Sequence, residues 1–206
     1  METVKPHPIA GADTIPVQGE ESAAVSELVE RAKRGDEAAF GDLMRLYERR
    51  IIAIGMQMGL SHDDALDACQ DTFVKVFHYI SRFRSGELFY RWLYRIAIHA
   101  ICDHRRWSRP AGVVSIEAIG SFETSELRTG ATPPDVELER ADLARKLLKG
   151  LGILSQRERT VFVLRDLQEI KTEEIGRILG LSQITIRRHC MSARRKLRDC
   201  LFPAKA

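Results

Sequence analysis

The sequence predicts an all-α protein of two small helical domains joined by a flexible linker. Apolar residues recur at helical spacing over about residues 22–107 and again from residue 135. Between these stretches, residues 108–134 contain three prolines, three glycines and many serines and threonines, a composition typical of a linker. Nowhere does an alternation of apolar and polar residues persist long enough to predict a sheet.

Four helices are predicted in the N-terminal domain, after a disordered tail. Residues 1–21 have no periodicity and contain several prolines, glycines and acidic residues. Gly35 suits the end of the first helix and Asp36 the start of the second. Gly59 and Ser61 mark the next boundary in the same way. The third helix is predicted to have an apolar face made of Leu66, Cys69, Phe73, Val76, Phe77 and Ile80.

The C-terminal domain, residues 135–206, carries its own helix boundaries. Ser155 and Glu158 form the S-x-x-E pattern of a capping box, in which each side chain accepts a hydrogen bond from the other residue's backbone N–H. Thr172 can cap a short helix, and Gly180 suits the left-handed position that ends it. Ser182 can cap the last helix. This last helix is predicted to pack inward through Ile186, Cys190, Ala193 and Leu197.

The opposite face of the last helix is strongly basic, and no acidic residue interrupts it before Asp199. A solvated basic face is one interpretation. However, a helix, a tight Gly-Leu-Ser turn and a second helix are typical of a helix-turn-helix, whose second helix enters the DNA major groove. The predicted base contacts are Thr185, Arg187, Arg188, Met191 and Ser192, next to the capping Ser182. The predicted phosphate contacts are Arg194, Arg195, Lys196 and Arg198.

A second segment, residues 81–107, combines aromatic rings with arginines. Proteins that bind single-stranded DNA use rings to stack on unpaired bases and cations to follow the backbone. A glycine-containing loop just before the fourth helix could hold one extruded base. The alternative is a structural role, because Leu93, Ala97 and Ile101 are clearly core positions and Trp92 could share that role.

The third helix has a polar outer face through Asp67, Gln70 and Asp71. Such a face can be solvated, or it can form a docking surface for a basic partner helix. The chemistry of these residues leaves both interpretations open.

Composition argues against several other classes of protein. No segment approaches the roughly 18 apolar residues of a membrane span, and the N-terminus does not resemble a secretory signal, so a cytoplasmic location is expected. The four cysteines are far apart without a C-x-x-C pair, which predicts free thiols, mostly buried, and no metal site. No phosphate loop or nucleophile elbow appears and the six histidines are scattered, so neither a cofactor nor an enzymatic activity is predicted.

The aromatic segment and the predicted helix-turn-helix together resemble the extracytoplasmic-function (group 4) subfamily of sigma-70 RNA polymerase sigma factors. Region 2 of that family is similar to the run DALDACQDTFVKVFHYISRFRSGELFYRWLYRIAIHAICDHRR. Region 4 is similar to the run LSQRERTVFVLRDLQEIKTEEIGRILGLSQITIRRHCMSARRKLR. The similarity covers about residues 22–107 and 138–201, with the two motifs in the family's order.

The resemblance implies a transcription initiation factor that binds core RNA polymerase and promoter DNA. Its region 2 would dock on the β′ clamp helices through Asp67, Gln70 and Asp71, melt the −10 element and hold one strand. The residues implied in strand binding are Phe83, Arg84, Phe89, Trp92, Arg95, His99, Arg105 and Arg106. Region 4 would bind the −35 element and the β flap. An anti-sigma factor, often membrane-bound, would hold the chain inactive without the chain itself entering the membrane.

Three residues depart from the family's pattern. His99 stands where asparagine is usual, while Ile184 and His189 replace residues that are usually small and basic. The −10 and −35 sequences that relatives recognise therefore cannot be assigned to this chain. The rival hypothesis is a stand-alone regulator, because LuxR-type proteins have a similar terminal domain. The aromatic helix argues against that hypothesis, since a repressor does not need to capture a single strand.

Overall fold

A computed structural model describes residues 22–84, 86–107 and 150–202. The predicted tail (1–21), the predicted linker (108–134) and the start of the predicted C-terminal domain (135–149) lie outside the described residues. Within the described ranges the secondary structure is helical and contains no β-strand, as the sequence predicts.

The N-terminal unit contains four α-helices: α1 (Ala23–Lys33), α2 (Glu37–Gln57), α3 (His62–Tyr79) and α4 (Phe89–Trp107). A short 3-10 helix, Ile80–Arg82, follows α3. The predicted caps are present: the Asp36 carboxylate accepts a hydrogen bond from the Ala39 N–H at 3.0 Å, and the Ser61 hydroxyl accepts one from the Asp64 N–H at 3.1 Å. Local sequence therefore positions α2 and α3.

The N-terminal core forms where α2, α3 and α4 face one another. Its completely or nearly completely buried side chains include Leu43, Tyr47, Ile51, Ile54, Phe73, Phe89, Leu93 and Ile101. Removing each of the large apolar side chains from water contributes roughly 1.5–3 kcal/mol. Phe77 is a correction to the predicted apolar face of α3, because this side chain is 56% exposed. Its ring lies one helical turn past Phe73 and contacts Phe40 at the edge of the core.

The C-terminal unit consists of helical residues 150–153, α5 (Gln156–Phe162), a π-helical turn (Val163–Leu167), α6 (Thr172–Leu179) and α7 (Gln183–Leu201). The predicted capping box is confirmed, since the Ser155 hydroxyl accepts from the Glu158 N–H at 3.3 Å and Glu158 Oε2 accepts from the Ser155 N–H at 2.8 Å. Thr172 is a correction: it is the first residue of α6, and Lys171 occupies the cap position without a side-chain hydrogen bond.

The two units are packed against each other through polar contacts. On α2, Arg50 Nε donates to Gln168 Oε1 at 2.8 Å, and Gln168 Nε2 donates to Gln57 Oε1 at 2.9 Å. Arg159 is only 2% exposed and donates from Nη1 to the Met58 carbonyl at 3.0 Å. Buried polar groups of this kind require partners, so these contacts fix how the π-helical turn and α5 sit against α2.

A second set of contacts joins α4 to α6 around the carboxylate of Glu174. Tyr90 Oη donates to Glu174 Oε2 at 2.6 Å, and Arg91 donates to both carboxylate oxygens, with Nη2–Oε1 at 2.7 Å. Burial raises the pKa of Glu174, but the hydrogen bonds from Arg91 and Tyr90 outweigh it and leave the pKa below its usual value. The C-terminal unit therefore covers part of α4.

Candidate nucleic-acid interface

The turn between α6 and α7 is built from close backbone contacts. Gly180 has φ +66°, a left-handed conformation in which a Cβ would be strained. A Cβ at Gly176 would lie 2.9 Å from the Leu181 carbonyl oxygen, so glycine allows the turn to approach α6. The Ser182 hydroxyl accepts from the Thr185 N–H at 3.2 Å and starts α7. These features give the tight corner of a helix-turn-helix.

One face of α7 is buried and the other is basic. Ile186, Cys190, Ala193 and Leu197 are buried as predicted. The outer face exposes Arg187, Arg188, Arg194, Arg195 and Arg198. These guanidinium groups and two exposed apolar side chains, Ile184 and Met191, share one open surface along the helix. Such a surface can provide charge for phosphates and donors for base edges.

Ser192 and Lys196, which the sequence predicts to contact DNA, are hydrogen-bonded to an acidic side chain, although Ser192 also borders the open basic surface of α7. Ser192 Oγ donates to Glu158 Oε1 at 2.7 Å, and Lys196 Nζ donates to Glu158 Oε2 at 2.8 Å. The carboxylate belongs to α5, so both side chains join α7 to α5 because an acidic group from a distant part of the sequence satisfies them. These bonds give both side chains a structural role, and DNA contact by Ser192 and Lys196 stays a prediction.

Glu158 carries the most strongly shifted carboxyl of this unit. Burial raises its pKa, but hydrogen bonds from Lys196, Ser192 and Ser155 outweigh that effect and lower the pKa from 4.5 to about 2. The carboxylate therefore stays ionised at neutral pH. Arg194 also forms an ion pair that joins α7 to a neighbouring element. Its guanidinium is bonded to Asp166 at the π-helical turn, although the Arg194 side chain is 58% exposed.

Two of the predicted strand-binding aromatics are part of the core. Phe89 is completely buried and Phe83 is 6% exposed, so in this arrangement neither ring offers a face to a base. Trp92 is partly buried, and its ring centroid lies 5.3 Å from Phe83 and 5.9 Å from Phe89. The three rings pack on one another beside the start of α4. Both rings have a structural role here, and strand binding by Phe83 and Phe89 stays a prediction.

The polar residues predicted for strand binding occupy several environments. Arg84 and His99 are exposed, and His99 Nδ1 lies 2.6 Å from the Arg95 carbonyl. Arg95 donates to the carbonyls of Arg177 at 2.8 Å and Ile178 at 3.3 Å, so α6 occupies its guanidinium. Arg105 is partly buried. The Arg106 side chain lies outside the described residues.

The acidic face of α3 is exposed and extends further than the sequence indicated. Asp67, Gln70 and Asp71 are all exposed along one side of the helix. Val74 continues this side and Phe77 lies next to it, at 55% and 56% exposure. The sequence did not predict either apolar residue as part of a docking surface, since helical spacing alone favours a core position for Phe77. His104 Nε2 lies 2.8 Å from Asp71 Oδ2 and ties α4 to the same face.

The four cysteines have free thiols, of which Cys69 and Cys190 are buried and Cys102 and Cys200 partly buried. Burial raises the pKa of Cys69 to about 11, which keeps it as an unreactive thiol at neutral pH. In the described part of the chain, no group of three or more His, Cys, Asp or Glu residues has the geometry of a metal site. Over the same ranges, every helix is too short or too polar to cross a bilayer.

Two family descriptions match the chain. Sigma-70 region 2 matches residues 43–109, and Sigma-70, region 4 matches residues 150–199. Together the matches cover more than half of the 206 residues and include α3, α4, α6 and α7 up to residue 199.

Similar proteins span the same two regions. RNA polymerase sigma-H factor of Pseudomonas aeruginosa is 28% identical over 86% of this chain and 93% of its own length. The ECF RNA polymerase sigma factor SigW of Bacillus subtilis is 29% identical over 86% of this chain and 96% of its own. Among solved structures, CnrH in complex with the cytosolic domain of CnrY matches with a TM-score of 0.65 and 26% identity, over 88% of this chain and 99% of that one. The two family matches, together with the ECF sigma factors among the similar proteins, place this chain in the extracytoplasmic-function subfamily of sigma-70 RNA polymerase sigma factors.

Proposed function

We propose that this sigma factor binds core RNA polymerase, recognises the −35 and −10 promoter elements and promotes melting and transcription initiation. The observation that carries the proposal is the exposed arginine face of α7, which the tight turn after α6 holds away from the core. In the proposed division, residues 22–107 form the region 2 domain and residues 135–206 the region 4 domain, with 108–134 as linker.

Region 4 contacts the −35 element through the outer face of α7. Arg187 and Arg188 lie in its N-terminal half, where recognition helices contact base edges. Thr185 and Met191 share that half, and Ser182 caps the helix at the surface that approaches the DNA backbone. Arg195 and Arg198 extend from the C-terminal half and are suited to phosphates.

Region 2 binds the polymerase and the melted strand through different surfaces. Asp67, Gln70 and Asp71 form the side of α3 that docks on the β′ clamp helices. Arg84, Trp92, His99, Arg105 and Arg106 contact the −10 strand, as does Arg95 once it leaves α6. The arginine side chains supply the cations that a single strand requires, and Trp92 is the partly exposed ring of its cluster.

The protein acts in the cytoplasm as a specificity subunit without catalytic activity of its own, and an anti-sigma factor controls it. Support for this control comes from the similar structure of CnrH, which is in complex with the cytosolic domain of CnrY. The same fold is found in RpoE in complex with the anti-sigma factor NepR from Bartonella quintana, at 20% identity and a TM-score of 0.57. Region 4 also contacts the flap of the β subunit in this proposal.

In vitro transcription tests the proposal directly. Purified full-length protein is combined with core RNA polymerase on a library of genomic promoter fragments, and start sites are mapped. We expect starts that core polymerase alone does not produce, with shared sequences about 10 and 35 base pairs upstream. A chain that instead binds duplex DNA tightly without polymerase, as a dimer on a palindrome, would be a stand-alone regulator.

A further inference from the structure

Two large apolar side chains lie exposed on the basic face of α7. Ile184 is 79% exposed and Met191 is 73% exposed. Both are far outside the core that Ile186, Cys190, Ala193 and Leu197 form on the other side of the same helix. Apolar side chains in water favour a partner that buries them.

The neighbours of these side chains restrict what the partner can be. Ile184 and Met191 are seven residues apart, about two helical turns, so they lie on nearly the same side of α7. Arg187 and Arg188 are exposed between them, and Arg195 follows Met191 by one turn. A purely apolar partner would desolvate these guanidinium groups without compensation, which is unfavourable. The charges instead require an anionic partner that carries isolated apolar groups.

Duplex DNA has that combination in its major groove. Phosphates line both edges, and each thymine presents a C5-methyl group among the hydrogen-bonding atoms of the base edges. Ile184 is the second residue of α7, in the part of a recognition helix that comes closest to base edges. Hydrogen-bonding side chains are absent at positions 184 and 191, so van der Waals contact is the interaction available there.

We propose that Ile184 and Met191 each contact the C5-methyl group of a thymine, and that the two thymines lie about three base pairs apart in the −35 element. The spacing follows because seven residues rise about 10 Å along an α-helix, while base pairs are stacked about 3.4 Å apart. This inference rests on the proposed function of α7 and specifies which bases it selects.

The test removes single methyl groups from the DNA. After the −35 element has been mapped, each of its thymines is replaced in turn by deoxyuridine, which lacks the C5-methyl group but keeps every hydrogen-bonding atom. Binding of the holoenzyme to these synthetic promoter duplexes is measured at fixed salt, because affinity for DNA changes with ionic strength. We expect two replacements to weaken binding about fourfold each, the effect of losing one buried methyl group.

Variants assign each methyl group to a side chain. In the Ile184→Ala variant, one of the two deoxyuridine replacements should no longer weaken binding. In the Met191→Ala variant, the other replacement, about three base pairs away, should no longer weaken binding. Ile184→Val, which keeps a branched side chain, should retain most of the sensitivity. Ile153→Ala is the matched control, since Ile153 is 52% exposed but lies outside α7, and its pattern should equal that of the wild type.

The outcomes separate this inference from the proposed function. A wild-type holoenzyme that neither initiates nor protects an upstream element contradicts the proposed function itself. A holoenzyme that protects the −35 element, yet binds every deoxyuridine duplex as it binds thymine, overturns the inference alone. Sensitivity that persists unchanged in both alanine variants also overturns it, because other groups would then contact the methyls.

Discussion

At the scale of single residues, Glu158 holds α5 and α7 together. Its carboxylate accepts hydrogen bonds from Ser192 and Lys196 of α7 and from the Ser155 N–H of its own helix start. The pKa of about 2 in the folded protein lies below that of an exposed glutamate. The contribution to stability is therefore fully present above about pH 4.5 and disappears as the pH falls through about 2.

Glu158→Gln should lower the free energy of unfolding by about 3 kcal/mol at pH 7, the equivalent of this pKa shift. The difference from the wild type should shrink as the pH falls from about 4.5 to 2, because the wild-type carboxylate then becomes neutral as well. Thermal unfolding followed by circular dichroism across this range measures the difference. A gap between the two proteins that stays constant down to pH 2 would contradict the assigned ionisation.

Arg187 and Arg195 are both exposed on α7 but should behave differently in promoter binding. Arg187→Ala removes a potential bidentate contact with guanine, which costs roughly 1–3 kcal/mol and changes which −35 sequences are used. Arg195→Ala removes a phosphate contact, so it should weaken all promoters similarly and reduce the salt dependence by about one ion. Holoenzyme binding to a promoter panel at several salt concentrations distinguishes them, and identical effects would refute the division.

Lys196 lies on the same helix as Arg195 but should contribute to stability rather than to DNA binding. Because its ammonium is bonded to Glu158, Lys196→Ala should lower the free energy of unfolding by about 1 kcal/mol; the value is small since Lys196 is 39% exposed and water screens the pair. Its promoter preference and salt dependence should stay close to those of the wild type, measured by the same binding panel. A salt dependence reduced as much as in Arg195→Ala would show that Lys196 contacts phosphate.

At the scale of elements, the corner between α6 and α7 depends on two glycines for different reasons. Gly180→Ala should lower stability by about 1–2 kcal/mol, because a Cβ is strained at φ +66° even though no atom lies within 4 Å of it. Gly176→Ala should also destabilise, because its Cβ would meet the Leu181 carbonyl at 2.9 Å and the turn would have to shift. Chemical unfolding of the purified variants measures both effects.

Gly152→Ala is the control for the two corner substitutions. Gly152 is helical, its φ is not positive and nothing lies within 4 Å of an added Cβ. Alanine there should leave stability unchanged or raise it by up to about 1 kcal/mol. If all three variants lost stability equally, the corner geometry would not be the cause.

At the scale of the whole molecule, the contact between α4 and α6 holds the two units in a closed arrangement. Glu174 and Arg91 are 8% and 15% exposed, and removal of one partner from such a pair costs about 3–5 kcal/mol. Arg91 can regain water if α6 separates from α4. Glu174→Ala should therefore favour an open arrangement and increase the radius of gyration measured by small-angle X-ray scattering.

Glu173→Ala is the control, because Glu173 precedes Glu174 on α6 but is exposed. It should leave the scattering profile unchanged. The open arrangement also frees the guanidinium of Arg95, which bonds the carbonyls at the end of α6 in the closed one. A Glu174→Ala protein as compact as the wild type would show that the other contacts, around Gln168 and Arg159, suffice to hold the units together.

The helices and their boundaries were predictable because their causes are local. The caps at Asp36, Ser61, Ser155 and Ser182 lie three residues from the backbone groups that they bind. The α7 core face repeats every three or four residues, and Gly180 occupies the one left-handed position of its turn. Periodicity and capping therefore established the all-helical class, the helix-turn-helix and the basic helix from the sequence alone.

The tertiary structure decided which side chains remain available for function. Ser192 and Lys196 face Glu158, 34 and 38 residues away, and Arg95 bonds residues more than 80 positions away. Phe89 is buried and Phe77 exposed, although both fit an apolar helical pattern. A sequence shows which face of a helix a residue occupies, but the element packed against that face determines whether it is buried, paired or free to bind DNA.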